Sequence, residues 1–129
     1  MIFVDTNVIM YAVGRPHPLR DEARRFFEDA VSKSTSQLCT SAEVLQELLH
    51  AYIPVGRITT LDAALTLAGS CIQTVWPVEE EDVRLARGLV DLYPQLGARD
   101  LLHVAVCRRR GVTSVKSFDR ALSAVFPGS

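Results

Sequence analysis

Ile2-Phe3-Val4-Asp5-Thr6-Asn7 begins with three apolar residues and then stops at a carboxylate, a hydroxyl and an amide. The apolar part reads as a short strand, because branched and aromatic side chains suit a pleated, buried surface. Three more runs share its character, at Leu38–Thr40, Ile72–Trp76 and Thr113–Val115. Between the runs, apolar residues recur at helical spacing. Leu19, Ala23, Phe26, Phe27, Ala30 and Val31 keep one face of a helix apolar. Val44 to Tyr52 predicts a second helix and, after the break at Pro54–Gly56, Leu61 to Ser70 a third. Glu79 to Leu92 and Ala98 to Arg109 follow, and a short helix runs from Asp119 to about Val125. Strands separated by helices, with no hairpin turns, predict a mostly parallel sheet of four to five short strands with helices on both faces. That is an α/β three-layer sandwich.

Composition narrows the class. A chain of 129 residues can bury one core without disulfides or a structural metal, so a single domain over 1–129 is expected. The 48% hydrophobic and 22% charged fractions suit a soluble globular protein. The first apolar run lacks a basic region before it and is broken by Asp5, unlike a signal peptide. No stretch has the length of a transmembrane span, so a cytoplasmic location without membrane contact is expected. Cys39, Cys71 and Cys107 are odd in number, widely spaced and without a CxxC pair, as in reduced, buried small residues. The net charge of −1 selects no partner, but neutralising four carboxylates would turn the balance positive. Arginines at 15, 20, 24, 25, 108, 109, 110 and 120, with Lys116, then suit a polyanion as well as a solvated surface.

In open parallel sheets, sites form at the carboxyl ends of strands, where the next helices begin. Asp5 and Asp119 come just after strands, Glu47 lies on the helix after the second, and Asp100 opens the helix before the fourth. Carboxylates converging on one sheet edge repel one another, and a cation relieves that repulsion. Most other acids have plainer roles. Glu79-Glu80-Glu81-Asp82 occupies a first helical turn, where negative charge meets exposed amides, and Asp62 after Thr59-Thr60 reads the same way. Asp21, Glu22, Glu28 and Asp29 form a solvated helix face.

Helical phase separates two neighbours. Val44, Leu45, Leu48, Leu49 and Tyr52 centre on one direction; Glu43 points roughly opposite, and Glu47 lies at the apolar margin. Glu47 is therefore the candidate ligand and Glu43 the helix-start charge. Asp100 begins a helix that is apolar nearly all round, through Leu101, Leu102, Val104, Ala105 and Val106. A carboxylate there is costly unless capped, paired or metal-bound. His103, one turn on, reads as a buried histidine bonded to a carbonyl or to Asp100 rather than as a ligand, and His17 and His50 add no zinc set.

Asp5-Thr6-Asn7, Leu45-Gln46-Glu47-Leu48, Arg99-Asp100-Leu101-Leu102-His103 and Ser117-Phe118-Asp119-Arg120, in this order, resemble the PIN-domain family. The nearest likeness is to VapC-like toxins of type II toxin–antitoxin pairs, and it spans essentially the whole chain. The resemblance implies a PIN-like sandwich and a Mg²⁺- or Mn²⁺-dependent endoribonuclease. It also implies a homodimer inhibited by a small VapB-type antitoxin. Asp5, Glu47, Asp100 and Asp119 would be its acidic set, with Thr6 and Ser117 as supporting hydroxyls. Asp5 and Asp100 are the direct-ligand candidates; Glu47 and Asp119 would hold waters or a second metal, or act as general base. Arg99 has no assigned part.

Three other readings compete. An aspartyl phosphoryl-transfer enzyme using Asp5 would want a second Asp where Asn7 stands. A receiver-type domain would use Lys116 but needs its acids clustered differently. A PIN-like domain that binds RNA or protein without cutting has no use for four mutually repelling carboxylates.

Overall fold

The computed structural model describes residues 1–33 and 37–128. Four strands form one sheet: β1 (Ile2–Val4), β2 (Leu38–Ser41), β3 (Thr74–Trp76) and β4 (Ser114–Lys116). All neighbours are parallel and the order is β3-β2-β1-β4. The expected α/β sandwich is present, with the sheet at the low end of the predicted strand number. β1 and β2 lie inside and are correspondingly buried: Phe3, Val4, Leu38, Cys39, Thr40 and Ser41 have no exposed surface.

The strand order dictates the layers. From β1 the chain passes through α1 (Thr6–Val13) and α2 (Pro18–Ser32) to β2, then through α3 (Ala42–Tyr52) and α4 (Ile58–Cys71) to β3. Both crossovers step in one direction, and right-handed connections put their helices on one face. The next crossover, α5 (Glu80–Gly88) and α6 (Ala98–Arg109), returns past β2 and β1 to β4, which reverses the step and selects the opposite face. Packing agrees: α1 contacts α2, α3 and α4, whereas α5 and α6 pack on each other. The order reverses at β1 and β4, and that is where the carboxyl-end crevice of such a sheet opens.

Helix α1 is absent from the pattern read above. Its sequence, TNVIMYAV, is apolar on most sides, and Val8, Ile9 and Ala12 are buried. It ends at Gly14, where an added Cβ would lie 2.9 Å from the Met10 carbonyl oxygen, so the chain leaves the helix by a close backbone approach. At the other end of the fold, α6 stops in a Schellman turn: Gly111 has φ +70°, Val112 N–H donates to Cys107 O at 2.9 Å, and Gly111 N–H to Arg108 O at 3.3 Å. Helix α4 starts at Ile58, so Asp62 lies past the first turn it was expected to occupy. A short α7 (Arg120–Ser123) follows β4.

Among the described residues, no helix is long and apolar enough to cross a membrane. Cys39, Cys71 and Cys107 are all buried and free, and burial pushes each thiol up, which leaves them inert.

Candidate active site

The end of β1 delivers Asp5 into a setting that fixes both of its oxygens. Oδ1 accepts the Thr6 N–H at 2.8 Å, and Oδ2 accepts the Ser117 hydroxyl at 2.7 Å. That same Ser117 oxygen accepts the Asn7 side-chain amide at 3.3 Å and the Asp119 N–H at 3.0 Å. A hydroxyl has one donor and two acceptor positions, and all three are used here. Asn7 closes the loop by accepting the Phe118 N–H at 3.2 Å. The ends of β1 and β4 are thus stitched together through Asp5, Asn7 and Ser117. Ser117 was expected as a support. Asn7 was noticed only as part of the motif, because its partners lie more than a hundred residues away.

Glu47 comes from α3, which Ser41 caps by accepting the Val44 N–H at 3.4 Å. Its side chain is only 10% exposed. Thr6, one residue past Asp5, donates its hydroxyl to Glu47 Oε2. Glu43, by contrast, is left half-buried with no hydrogen bond or ion pair among the described residues. Burial pushes the Glu47 carboxyl up, but His103, Thr6 and, from the rim, Arg99 outweigh it and hold the group below its ordinary value.

Asp100 is the third residue of α6 and accepts no hydrogen bond among the described residues, so the capping explanation does not apply to it. Its pKa is raised, first by burial and then by Asp5, with Asp119 and Glu47 adding to the effect; only His103 opposes. Asp100 thus senses all three other carboxylates, although the tight cluster of ligand atoms holds Asp5, Glu47 and His103 and includes neither Asp100 nor Asp119. The capping role falls instead on Asp119, whose Oδ1 accepts the N–H groups of Ala121 at 2.9 Å and Leu122 at 3.2 Å.

His103 departs from expectation. It is 1% exposed and bonds no carbonyl; its Nε2 lies 3.4 Å from Glu47 Oε1 and 3.7 Å from Asp5 Oδ1. Neither ring nitrogen has a well-aligned hydrogen-bond partner among the described residues. Burial lowers its pKa, yet Glu47, Asp5 and Asp100 outweigh burial and leave it raised. One ligand atom each of Asp5, Glu47 and His103 all fall within 4.8 Å of one another. The carboxylate oxygens of Asp5 and Glu47, deeply placed and only partly neutralised by the His103 behind them, fit a divalent cation.

The basic run that closes α6 serves another purpose. Arg110 donates to Asp82 Oδ1 at 2.8 Å, Asp82 Oδ2 at 3.2 Å, Glu79 Oε1 at 3.0 Å and Pro77 O at 3.0 Å, with its guanidinium 5.4 Å from the centre of the Trp76 ring. Arg109 reaches Asp82 at 2.8 Å and Glu79 at 3.1 Å. Asp82 keeps the capping place expected in the first turn of α5, its Oδ2 accepting the Glu79 N–H at 2.8 Å, but it is not solvated: it is fully buried between two guanidiniums. Burial pushes its carboxyl up, but Arg110, the Glu79 N–H and Arg109 overcome this and hold it at about 2.

The comparisons agree with this geometry. Residues 2–126 match the family described as PIN domain. Ribonuclease VapC23 of Mycobacterium tuberculosis is 59% identical over 126 residues, covering 98% of each chain. Ribonuclease VapC13 of the same organism is 40% identical over 128 residues, covering 99% of this chain and 96% of the relative. Among solved structures, M. tuberculosis VapC20, described as a sarcin–ricin loop cleaving toxin, superposes with a TM-score of 0.72 at 22% identity, covering 96% of this chain and 94% of that one. VapBC2 of Rickettsia felis, bound to a DNA fragment from their promoter, gives 0.73 at 19% identity, covering 98% and 94%. At such identities these two likenesses speak for the fold. The family match and the sequence relatives go further: this chain belongs to the PIN-domain family and is VapC-like.

Proposed function

We propose that this chain is a VapC-type toxin, an endoribonuclease that hydrolyses RNA phosphodiester bonds with a divalent cation, Mg²⁺ or Mn²⁺. The observation that carries the reading is the convergence of Asp5, Glu47 and His103, whose ligand atoms lie within 4.8 Å of one another, with the Asp100 carboxyl pushed up by burial and by Asp5 beside them. Such a set is under-neutralised by the chain itself. Asp5 and Asp100 would hold the cation, with Glu47 and Asp119 completing its surroundings. When bound, the cation supplies a lowered pKa for a coordinated water and charge neutralisation at the phosphate.

The chain's own residues divide the rest of the work. Ser117 and the Thr6 N–H lock the Asp5 carboxylate in one orientation, and the Thr6 hydroxyl does the same for Glu47. His103 lies against both and offsets part of their charge from the buried side. Glu47, held below the ordinary range, serves as a standing negative charge. Asp119 commits one oxygen to the α7 cap and keeps the other for a water, which makes it the better-placed proton acceptor. The same reading gives the chain a small VapB-type antitoxin, in keeping with the VapBC2 name of a structural neighbour, and a homodimeric state as part of the proposal.

A cleavage assay on mixed RNA with titrated Mg²⁺ and Mn²⁺ tests the proposal. Cutting that rises with metal and stops in EDTA is expected. Full activity after chelation would overturn the metal reading, and RNA binding without cutting at any metal concentration would favour a PIN-like binding domain instead.

A further inference from the structure

Lys116 ends β4, where the sheet hands the chain to the turn that carries Ser117 and Asp119. Its main-chain oxygen accepts the Asp5 N–H at 3.0 Å, so its backbone borders the site. Its side chain goes the other way. Successive side chains of extended backbone leave on opposite sides. Ser117 turns inward, donating to Asp5 at 2.7 Å and accepting from Asn7 at 3.3 Å, while Lys116 and Phe118 meet on the outer side. There the Lys116 ammonium lies 5.2 Å from the centre of the Phe118 ring and 5.7 Å from that of Phe26 on α2. Both distances are within reach of a cation–π attraction. Glu22, one helical turn before Phe26, accepts the same ammonium at 3.3 Å. Phe118 in turn stands edge-on to Tyr11 of α1, at 5.5 Å between ring centres and 85° between planes.

The turn is therefore gripped from two sides. On the inside, Ser117 and the Phe118 N–H bond Asp5 and Asn7. Those bonds orient the Asp5 carboxylate only while the turn itself stays in place. On the outside, α1 and α2 pack on each other, and Lys116 and Phe118 fasten the turn to that layer. The ammonium is directed at Glu22 and two rings rather than into the crevice, which makes Lys116 an anchor and not a ligand.

Resting on the divalent-cation reading above, we propose that Lys116 is a positioning residue of the active site. By tying the turn between β4 and α7 to α2, it holds Ser117 against Asp5 and keeps that carboxylate oriented for the cation.

The test measures Mn²⁺ affinity of the intact chain without RNA, by titration followed through the electron paramagnetic resonance of the free ion. Lys116→Met keeps most of the stem and removes the charge. It should raise Kd about tenfold, the low end of the loss found for groups that support a metal ligand. Lys116→Arg keeps a cation beside both rings and should restore most of the affinity. Because the effect runs through Ser117, adding Lys116→Met to Ser117→Ala should cost nothing further, whereas independent sites would give additive losses. Asp82→Ala, which destabilises the clamp between α5 and α6, should bind Mn²⁺ like the wild type below its own Tm. In Mg²⁺ cleavage assays at subsaturating metal, Lys116→Met should lower kcat and leave KM for RNA unchanged. Wild-type Mn²⁺ affinity in folded Lys116→Met would overturn the proposal, as would additive losses in the double variant or an equal loss in Asp82→Ala. A raised KM with Mn²⁺ affinity intact would overturn it too, by making Lys116 a substrate contact. Where Lys116→Met does not fold, Glu22→Gln carries the test: a loss of about threefold, the size of an exposed ion pair, is expected, and wild-type affinity overturns the proposal. A wild type that binds no Mn²⁺ strikes the cation reading itself and the proposal with it, whereas a binding wild type beside an unaffected Lys116→Met strikes the proposal alone.

Discussion

Two clusters of carboxylates, each with a buried aspartate at its heart, lie in this fold, and the chain treats them in opposite ways. Between α5 and α6, Asp82 and Glu79 meet Arg109 and Arg110, two charges against two, with every contact between 2.8 and 3.2 Å. At the sheet edge, Asp5, Glu47, Asp100 and Asp119 share a single buried imidazole, with Arg99 acting on Glu47 only from the rim. The two environments displace carboxyl groups in opposite directions. Asp82 is held at about 2, whereas Asp100 is raised. Where a buried anion is only structural, the chain supplies its own cations. Where it withholds them, the proposed cation would supply the balancing charge.

Asp100→Asn breaks the contrast most severely. The amide keeps the size of the side chain and removes the charge that the proposed cation needs. Cleavage should fall by about a hundredfold or more, beyond the loss typical of groups that merely support a metal ligand. Stability should move the other way, because one source of repulsion among Asp5, Asp119 and Glu47 disappears. Parallel measurement of initial cleavage rate and Tm decides the matter. A variant that cuts RNA at the wild-type rate would remove Asp100 from the site, and a sharply lowered Tm would show that its charge is structural after all.

Asp82→Ala should give the reverse pattern. Removing the carboxylate strands Arg110, whose side chain is 10% exposed, beside Arg109 with only Glu79 left to share. Breaking a buried pair in this way costs about 3 kcal/mol or more, or about 10 °C in Tm for a domain of this size. Activity of the fraction that remains folded should be preserved, since no carboxylate of the sheet edge touches this cluster. Thermal melts followed by cleavage assays below the new Tm separate the two effects. Lost activity in fully folded Asp82→Ala would mean that the α5–α6 clamp also sets the position of Asp100 at the head of α6.

The same contrast explains which parts of the fold the sequence disclosed. Strand β1 is a continuous apolar run and β2 opens with one because both their faces are covered, and such runs are visible without tertiary information. Glu47 could be told from Glu43 by helical phase, since burial of one helix face is a local pattern. Asp100 stood out because the helix it opens is apolar on nearly every side. Asp82 did not, because an acid in a first helical turn has an ordinary local explanation. That local role is real, since it caps the Glu79 N–H, but its arginine partners lie 27 and 28 residues further on. The bonds of Asn7 and the setting of His103 are not legible in sequence for the same reason: their partners are contributed by other elements, and side-chain pairing across a fold leaves no periodic trace. Helix α1 was missed because it is short and apolar, and begins immediately after a strand of the same character.

Acid titration sharpens the comparison with the smallest effect. Asp82 has a folded-state pKa of about 2 against an ordinary value of 3.8, so the folded state holds this group ionised more strongly than the unfolded chain does. Its stabilising contribution is therefore complete above about pH 4 and disappears as pH falls through about 2. The shift corresponds to about 2 kcal/mol. Asp100 has the opposite sign: its raised pKa means the folded state takes up the proton more readily, so its repulsion weakens as pH falls from neutral. Unfolding free energies measured from pH 7 to pH 2 should show Asp82→Asn converging on wild type only at the acid end. Asp100→Asn should exceed wild type at pH 7 and lose that advantage as the wild-type carboxyl is protonated. Parallel curves for both variants across the whole range would mean that the two clusters are not electrostatically distinct. The division between a self-neutralised clamp and a cation-requiring crevice would then fail at its physical root.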